Sequence, residues 1–177
     1  MKSKILILLC TIVFIAQKQV CFAQDEVASG QCKLTIQKVG APNDVQHYFF
    51  SSDSGHTIYL KPEKDGSIAD FGFSGDFANN KGEVVSVMPD FIISPPGTGN
   101  FMIPPFGSSP KSFSHIAIVI TGTIPVIADQ SKACSGSITI SKYPSIGGFM
   151  KGTFHTILTD NVNNYKVSGE FSIQRTQ

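Results

Sequence analysis

The chain has 177 residues, 41% of them hydrophobic, with 16 Gly, 10 Pro, 14 Phe and no Trp. Only 15% are charged, against about 25% in an ordinary soluble domain, which argues against helical bundles and coiled coils. A formal net charge of +1 lacks the basic footprint of a nucleic-acid binder, and frequent apolar residues argue against disorder.

Residues 1–23 read as a secretory signal peptide. Lys2 and Lys4 form its basic start, Ile5 to Ala16 is uncharged, and Cys21-Phe22-Ala23 offers small residues at a cleavage site. Lys18 interrupts the apolar run before the ~20 residues a spanning helix needs. Cys21 sits where a lipid could be attached, but Val20, Gln19 and Lys18 are a poor lead-in, which argues against a lipid anchor. Export to the periplasm or the extracellular space is therefore expected, with no transmembrane segment in the mature chain. Removing 23 of 177 residues leaves 154 (24–177), long enough for one domain with a real core. The signal takes three of the 14 basic residues and none of the 13 acidic ones, so the mature chain is mildly acidic.

In chain order, alternation of apolar and polar residues predicts strands. Cys32 to Lys38 comes first, with Cys32, Leu34 and Ile36 on one face. Strands follow at 46–50, 56–60, 67–73 and 83–93. Residues 89–110 then contain six prolines and Gly97, Gly99 and Gly107, interleaved with Phe91, Phe101, Met102 and Phe106. Proline removes ladder donors, so this stretch is expected to be an irregular or edge connection, not a central strand. Its apolar content makes loop 91–113 the expected contact loop, through Phe91, Phe101, Phe106 and Phe113. A strand at 115–121 follows. Cys134 to Lys142 alternates again, with Cys134, Ile138 and Ile140 on one parity. Cys32 and Cys134 are the two cysteines left after the signal, each on its strand's apolar face, and are expected to form one disulfide.

The final third reads as a hairpin. Phe149 to Thr159 is one strand, Asp160-Asn161-Val162-Asn163-Asn164 a turn, and Tyr165, Val167, Phe171 and Ile173 mark the returning strand. Gly152 and Gly169 fall on the inward parity, where a missing side chain allows close packing or a bulge. About nine short strands and no helical periodicity predict an all-β fold, an antiparallel β-sandwich in a single domain.

The tail carries a resemblance. Ser137-Ile138-Thr139-Ile140-Ser141-Lys142-Tyr143, Gly147-Gly148-Phe149-Met150-Lys151-Gly152-Thr153-Phe154, Leu158-Thr159-Asp160 and Val167-Ser168-Gly169-Glu170-Phe171-Ser172-Ile173 resemble the ends of exported Bacteroidota β-sandwich proteins, many of them lipoproteins. Those tails read as a strand, then GGY-x-x-GTF-x-x-TL, then V-x-G-x-F. Pro96-Gly97-Thr98-Gly99 is similar to a GPGTY segment found upstream in that group. The resemblance implies fold and export; its motif consists of strand and turn residues and brings no catalytic residue with it.

Motifs that would carry chemistry are weak. His47, His56, His115 and His155 form no close ligand pair, although His47 and His56 could meet across a hairpin. Gly72-Phe73-Ser74-Gly75 lacks the spacing of a nucleophile elbow. Asp65, Asp70, Asp76, Asp90 and Glu83 read as residues in or beside turns. Asp76, Asn79, Asn80 and Glu83 bring oxygen ligands close together without the spacing of a known calcium loop. No cofactor or metal site is implied. Sugar binding without Trp would need a row of exposed rings from Tyr48, Tyr59, Tyr143 and Tyr165. The expectation is a non-enzymatic binding or scaffolding domain of the cell envelope, its partner an envelope protein or a glycan. A carbohydrate-binding module and a periplasmic hydrolase inhibitor are the alternatives, with a hydrolase behind them.

Overall fold

The computed structural model describes residues 29–62, 66–79, 81–104, 111–121, 126–127, 135–160 and 162–176. The expected signal peptide lies outside them. Among the described residues eleven strands follow one another: β1 (Gly30–Lys38), β2 (Val45–Ser51), β3 (Thr57–Pro62), β4 (Ala69–Ala78), β5 (Val84–Ser94), β6 (Gly99–Met102), β7 (Phe113–Thr121), β8 (Val126–Ile127), β9 (Ser135–Lys142), β10 (Phe149–Thr159) and β11 (Asn164–Gln174). They form two antiparallel sheets, six-stranded in the order β2-β1-β11-β10-β9-β6 and five-stranded in the order β3-β4-β5-β7-β8. The domain is an all-β, sandwich-like structure. Among the described residues no helix is long and apolar enough to cross a membrane.

Alternation places the core as the sequence predicts. Leu34 and Ile36, Phe71 and Phe73, Ile138 and Ile140, Phe154 and Leu158, and Val167 and Phe171 all point inward and are buried. Four rings form the centre: Phe91 packs on Phe154 (centroids 4.7 Å apart) and Phe71 (5.1 Å), and Phe71 on Phe171 (4.9 Å). Burying each such side chain contributes about 1.5–3 kcal/mol. Ser114 on β7 is buried and donates to the Phe101 carbonyl of β6 at 2.6 Å, a polar tie between the two sheets.

The two inward glycines have a specific use. Across β10 and β11, Gly152 stands opposite Phe171 and Phe154 opposite Gly169. A Cβ on Gly152 would lie 2.6 Å from Phe171 Cζ, and one on Gly169 2.5 Å from Phe154 Cζ. Each ring therefore occupies the space the opposite glycine leaves, a reciprocal aromatic–glycine pairing. The β10–β9 register also shifts between Lys151 and Gly152, which pair with Lys142 and Ile140, so the extra residue is Ser141 of β9.

Two expectations need correction. Pro89 and Phe91 lie in β5, the strand expected at 83–93 and the middle one of the five-stranded sheet, so the irregular connection expected from 89 and the contact loop expected from 91 do not begin there. The strand tolerates Pro89 because the paired positions of β4 and β5 pass from Gly72–Asp90 directly to Gly75–Val87. The missing N–H thus falls in a gap in the ladder. The edge expectation holds for Gly99–Met102, which is β6 at the border of the six-stranded sheet.

The disulfide is the second correction. Cys32 is a buried free thiol, and Cys134 lies outside the described residues. Strand β1, which carries Cys32, and β9, which starts one residue after Cys134, are not neighbours, because β11 and β10 lie between them. Their starts also lie at opposite ends of the sheet. Cys32 is level with Ile140, whereas Ser135, next to Cys134, is level with Gln37. Three strand spacings and five residues along a strand place Ser135 about 20 Å from Cys32. A bridge needs Cα atoms within about 7 Å.

Candidate functional site

The outer face of the six-stranded sheet is polar. One row crosses it as Ser137 on β9, His155 on β10, Ser168 on β11, Thr35 on β1 and His47 on β2. Met102 on β6 faces Ser137 at the border. Thr35 Oγ1 and His47 Nδ1 are 3.1 Å apart. The next row runs Thr139, Thr153, Glu170, Lys33, Phe49. Within it Lys33 Nζ meets Glu170 Oε1 at 2.6 Å, with both side chains more than half exposed, so the pair adds under about 1 kcal/mol. A groove of about 500 Å³ lies along the first row, lined among others by Thr35, Gln37, Met102, His155, Lys166 and Ser168. A second hollow of about 320 Å³ lies by the bulge, against Lys33, Lys151 and Ser172. Exposed Phe49 and Met102 stand near opposite borders of this face, with hydrogen-bonding side chains between them.

The other outer face holds a different cluster. On β4 and β5, Gly72 pairs with Asp90 and Asp70 with Ile92, so the two carboxyl groups are diagonal neighbours on the outward side. Strand β3 sets Tyr59 opposite Gly72 and Lys61 opposite Asp70. The Tyr59 ring lies in the space over Gly72, where a Cβ would meet its Oη at 2.6 Å. From there the Tyr59 hydroxyl donates to Asp90 Oδ1. Asp70 Oδ1 is buried and has no hydrogen-bond partner. Burial, followed by the Asp90 charge and a hydrogen bond with Asp90, pushes the Asp70 carboxyl up to about 7; Lys61 and Tyr59 oppose this. Burial and the adjacent carboxylates also push the Tyr59 hydroxyl far above its ordinary value. His115 on β7, opposite Ile92, completes the ionisable set. Asp90 is therefore a mid-strand residue, not a turn residue, and register brings it beside Asp70, the second residue of β4.

The residues expected to make contact divide differently. Phe91 is wholly buried and Phe101 is 5% exposed, so neither offers a ring to a partner. Phe113 is half-buried at the start of β7, opposite Ser94. Phe106 lies outside the described residues. Phe49 and Met102 are among the exposed apolar residues, and neither is one of the four expected contact residues. Their parity, opposite to that of Phe50 and Phe101, was the available signal.

The histidines do not converge. His47 faces outward, while His56 turns inward between Phe50 and Phe77 (5.8 and 5.1 Å) and accepts from the Ser51 amide at 3.1 Å. The Asn79 side-chain oxygen accepts from the amides of Lys81 and Glu83, and its Nδ2 donates to Glu83 Oε2. Asp76 accepts from Ser86. These groups serve the β4–β5 turn; Asn80 and Asp65 lie outside the described residues. Among the described residues, no three His, Cys, Asp or Glu side chains are grouped to hold a metal.

The tyrosines form no row. Tyr48 is buried, Tyr59 belongs to the carboxyl cluster, Tyr143 lies 5.3 Å beneath the Arg175 guanidinium, and Tyr165 donates to Asp160. Comparison with known proteins finds no matching family model, no matching curated protein and no matching solved structure.

Proposed function

We propose that the protein is an exported, non-enzymatic binding or scaffolding domain of the cell envelope, and that it makes contact through the outer face of the six-stranded sheet. The observation that carries this reading is the groove along Thr35, Ser168 and His155. It offers hydroxyl, amide and imidazole groups in a fixed lattice, with strands about 4.8 Å apart, beside an exposed Met102. Such a surface suits a hydrophilic partner held by many hydrogen bonds, with an apolar contact at its margin. The resemblance of the tail to exported Bacteroidota β-sandwich proteins supports the same placement. The four tyrosines do not supply an aligned row of rings of the kind a carbohydrate-binding module would use.

The test is affinity capture from native envelope, with the protein unaltered and with Ser168→Arg. Ser168 is exposed, so a long charged side chain there fills the groove without disturbing the core. Capture of a defined protein or glycan by the unaltered chain, lost with Ser168→Arg, is the expected result. Equal capture by both overturns the assignment of this face.

A further inference from the structure

We propose that Asp70 and Asp90 hold one proton between them, and that this proton latches the edge strand β3 onto the five-stranded sheet. Tyr59 has one hydroxyl hydrogen, and it goes to Asp90. Asp70 Oδ1 is shielded from solvent and accepts no hydrogen bond. Two ionised carboxylates packed diagonally would leave that oxygen desolvated and facing a like charge, the arrangement that makes paired acids keep a proton. A proton on Asp70 turns the repulsion into a carboxyl–carboxylate hydrogen bond. Asp90 remains the acceptor for Tyr59, and through it for β3.

The groups facing the pair are Tyr59 and Lys61 from β3 and His115 from β7. The Lys61 charge favours ionisation but does not outweigh burial and Asp90. Among the described residues strand β3 has a single neighbour in its sheet, so beyond the burial of Ile58 and Leu60 its attachment depends on β4 and on this cluster. With the proton present, β3 is held by its ladder and by the Tyr59–Asp90 bond. As the surroundings turn alkaline the pair becomes doubly charged, and the β3 edge loosens. The sign follows from linkage: the folded pair binds a proton that the opened state releases nearer the ordinary Asp value. The latch therefore contributes fully only below the ordinary Asp value, weakens as pH rises above it, and is gone once the pH has passed about 7.

Two measurements on the full protein test this. The carboxyl carbons of Asp70 and Asp90 are followed by NMR against pH, and amide exchange in β3 is compared at pH 5.5 and 8 after correction for intrinsic rates. One carboxyl of the pair should titrate near neutrality. Opening of β3 should rise by about tenfold between the two conditions, below the tenfold-per-unit limit of linkage because water partly screens the pair. In Asp70→Asn the amide donates permanently to Asp90, and the pH response of β3 should vanish. Titration of both carboxyls in the ordinary Asp range overturns the proposal even if that variant fails to fold. An undiminished pH response of β3 in a folded Asp70→Asn also overturns it.

Discussion

Replacing Gly152 by Ala adds one methyl group at the most crowded inward position of β10. Its backbone is not left-handed, so alanine can adopt the local conformation. On strand propensity alone the change would stabilise by about 0.5–1 kcal/mol. The space is already filled, however. The new Cβ would lie 2.6 Å from Phe171 Cζ and 2.6 Å from the Thr139 carbonyl oxygen, against about 3.5–4.0 Å for a relaxed carbon contact. Phe171 cannot swing away freely, because Phe71 and Phe91 pack on it at 4.9 and 6.1 Å. The carbonyl belongs to β9, the neighbouring strand. Overpacking of this kind costs about 1–3 kcal/mol and outweighs the propensity gain, leaving a net loss of about 1–2 kcal/mol. Denaturant midpoints, and a melting point lowered by about 3–8 °C for a domain of this size, measure it. The same change made beside Phe171→Leu should cost less, because the clashing ring end is gone. A neutral or stabilising Gly152→Ala, or an unchanged cost beside Phe171→Leu, refutes the view that the ring sits in the glycine's space.

Two other outcomes follow. The Asp160 carboxyl accepts from the amides of Val162 and Asn163 and from Tyr165, and the Asn163 amide bond is the largest of the causes holding it down at about 2. Its contribution is present above the ordinary Asp value and lost as pH falls toward 2, so Asp160→Asn should flatten the acid limb of the stability–pH curve. Cys32 is wholly buried and its thiol is pushed well up by burial and by Glu170. It should resist alkylation in the folded protein and react on denaturation, and fast native labelling would contradict its placement.

Much of the fold was legible because a period of two survives in the sequence wherever one face of a strand is buried. The hairpin around Asp160, the inward glycines and the faces of Cys32, Phe71 and Ile140 all follow from parity. The strands that were missed, Gly99–Met102 and Val126–Ile127, are too short to show alternation. Proline content misplaced Pro89 and Phe91, since the tolerance for Pro89 comes from a ladder gap that no local pattern announces. Register was the other hidden quantity. Parity turns Asp70 and Asp90 outward, but only the pairing of Gly72 with Asp90 makes them neighbours. Parity likewise suggested matching faces for Cys32 and Cys134 without showing that β11 and β10 separate β1 from β9. The groove on the six-stranded sheet was illegible for the same reason, because His155, Ser168, Thr35 and His47 meet only across four strands.

The pairing of β1 with β11, Gly30 to Ile173 through Lys38 to Tyr165, also has a consequence in time. During synthesis β1 has its hairpin mate β2 but lacks its second neighbour until residues 164–174 have emerged. Contacts between such distant segments close the longest loops and slow folding. The six-stranded sheet can therefore be completed only from its last strand, and loss of the final dozen residues would leave β1 and β10 each with an open edge.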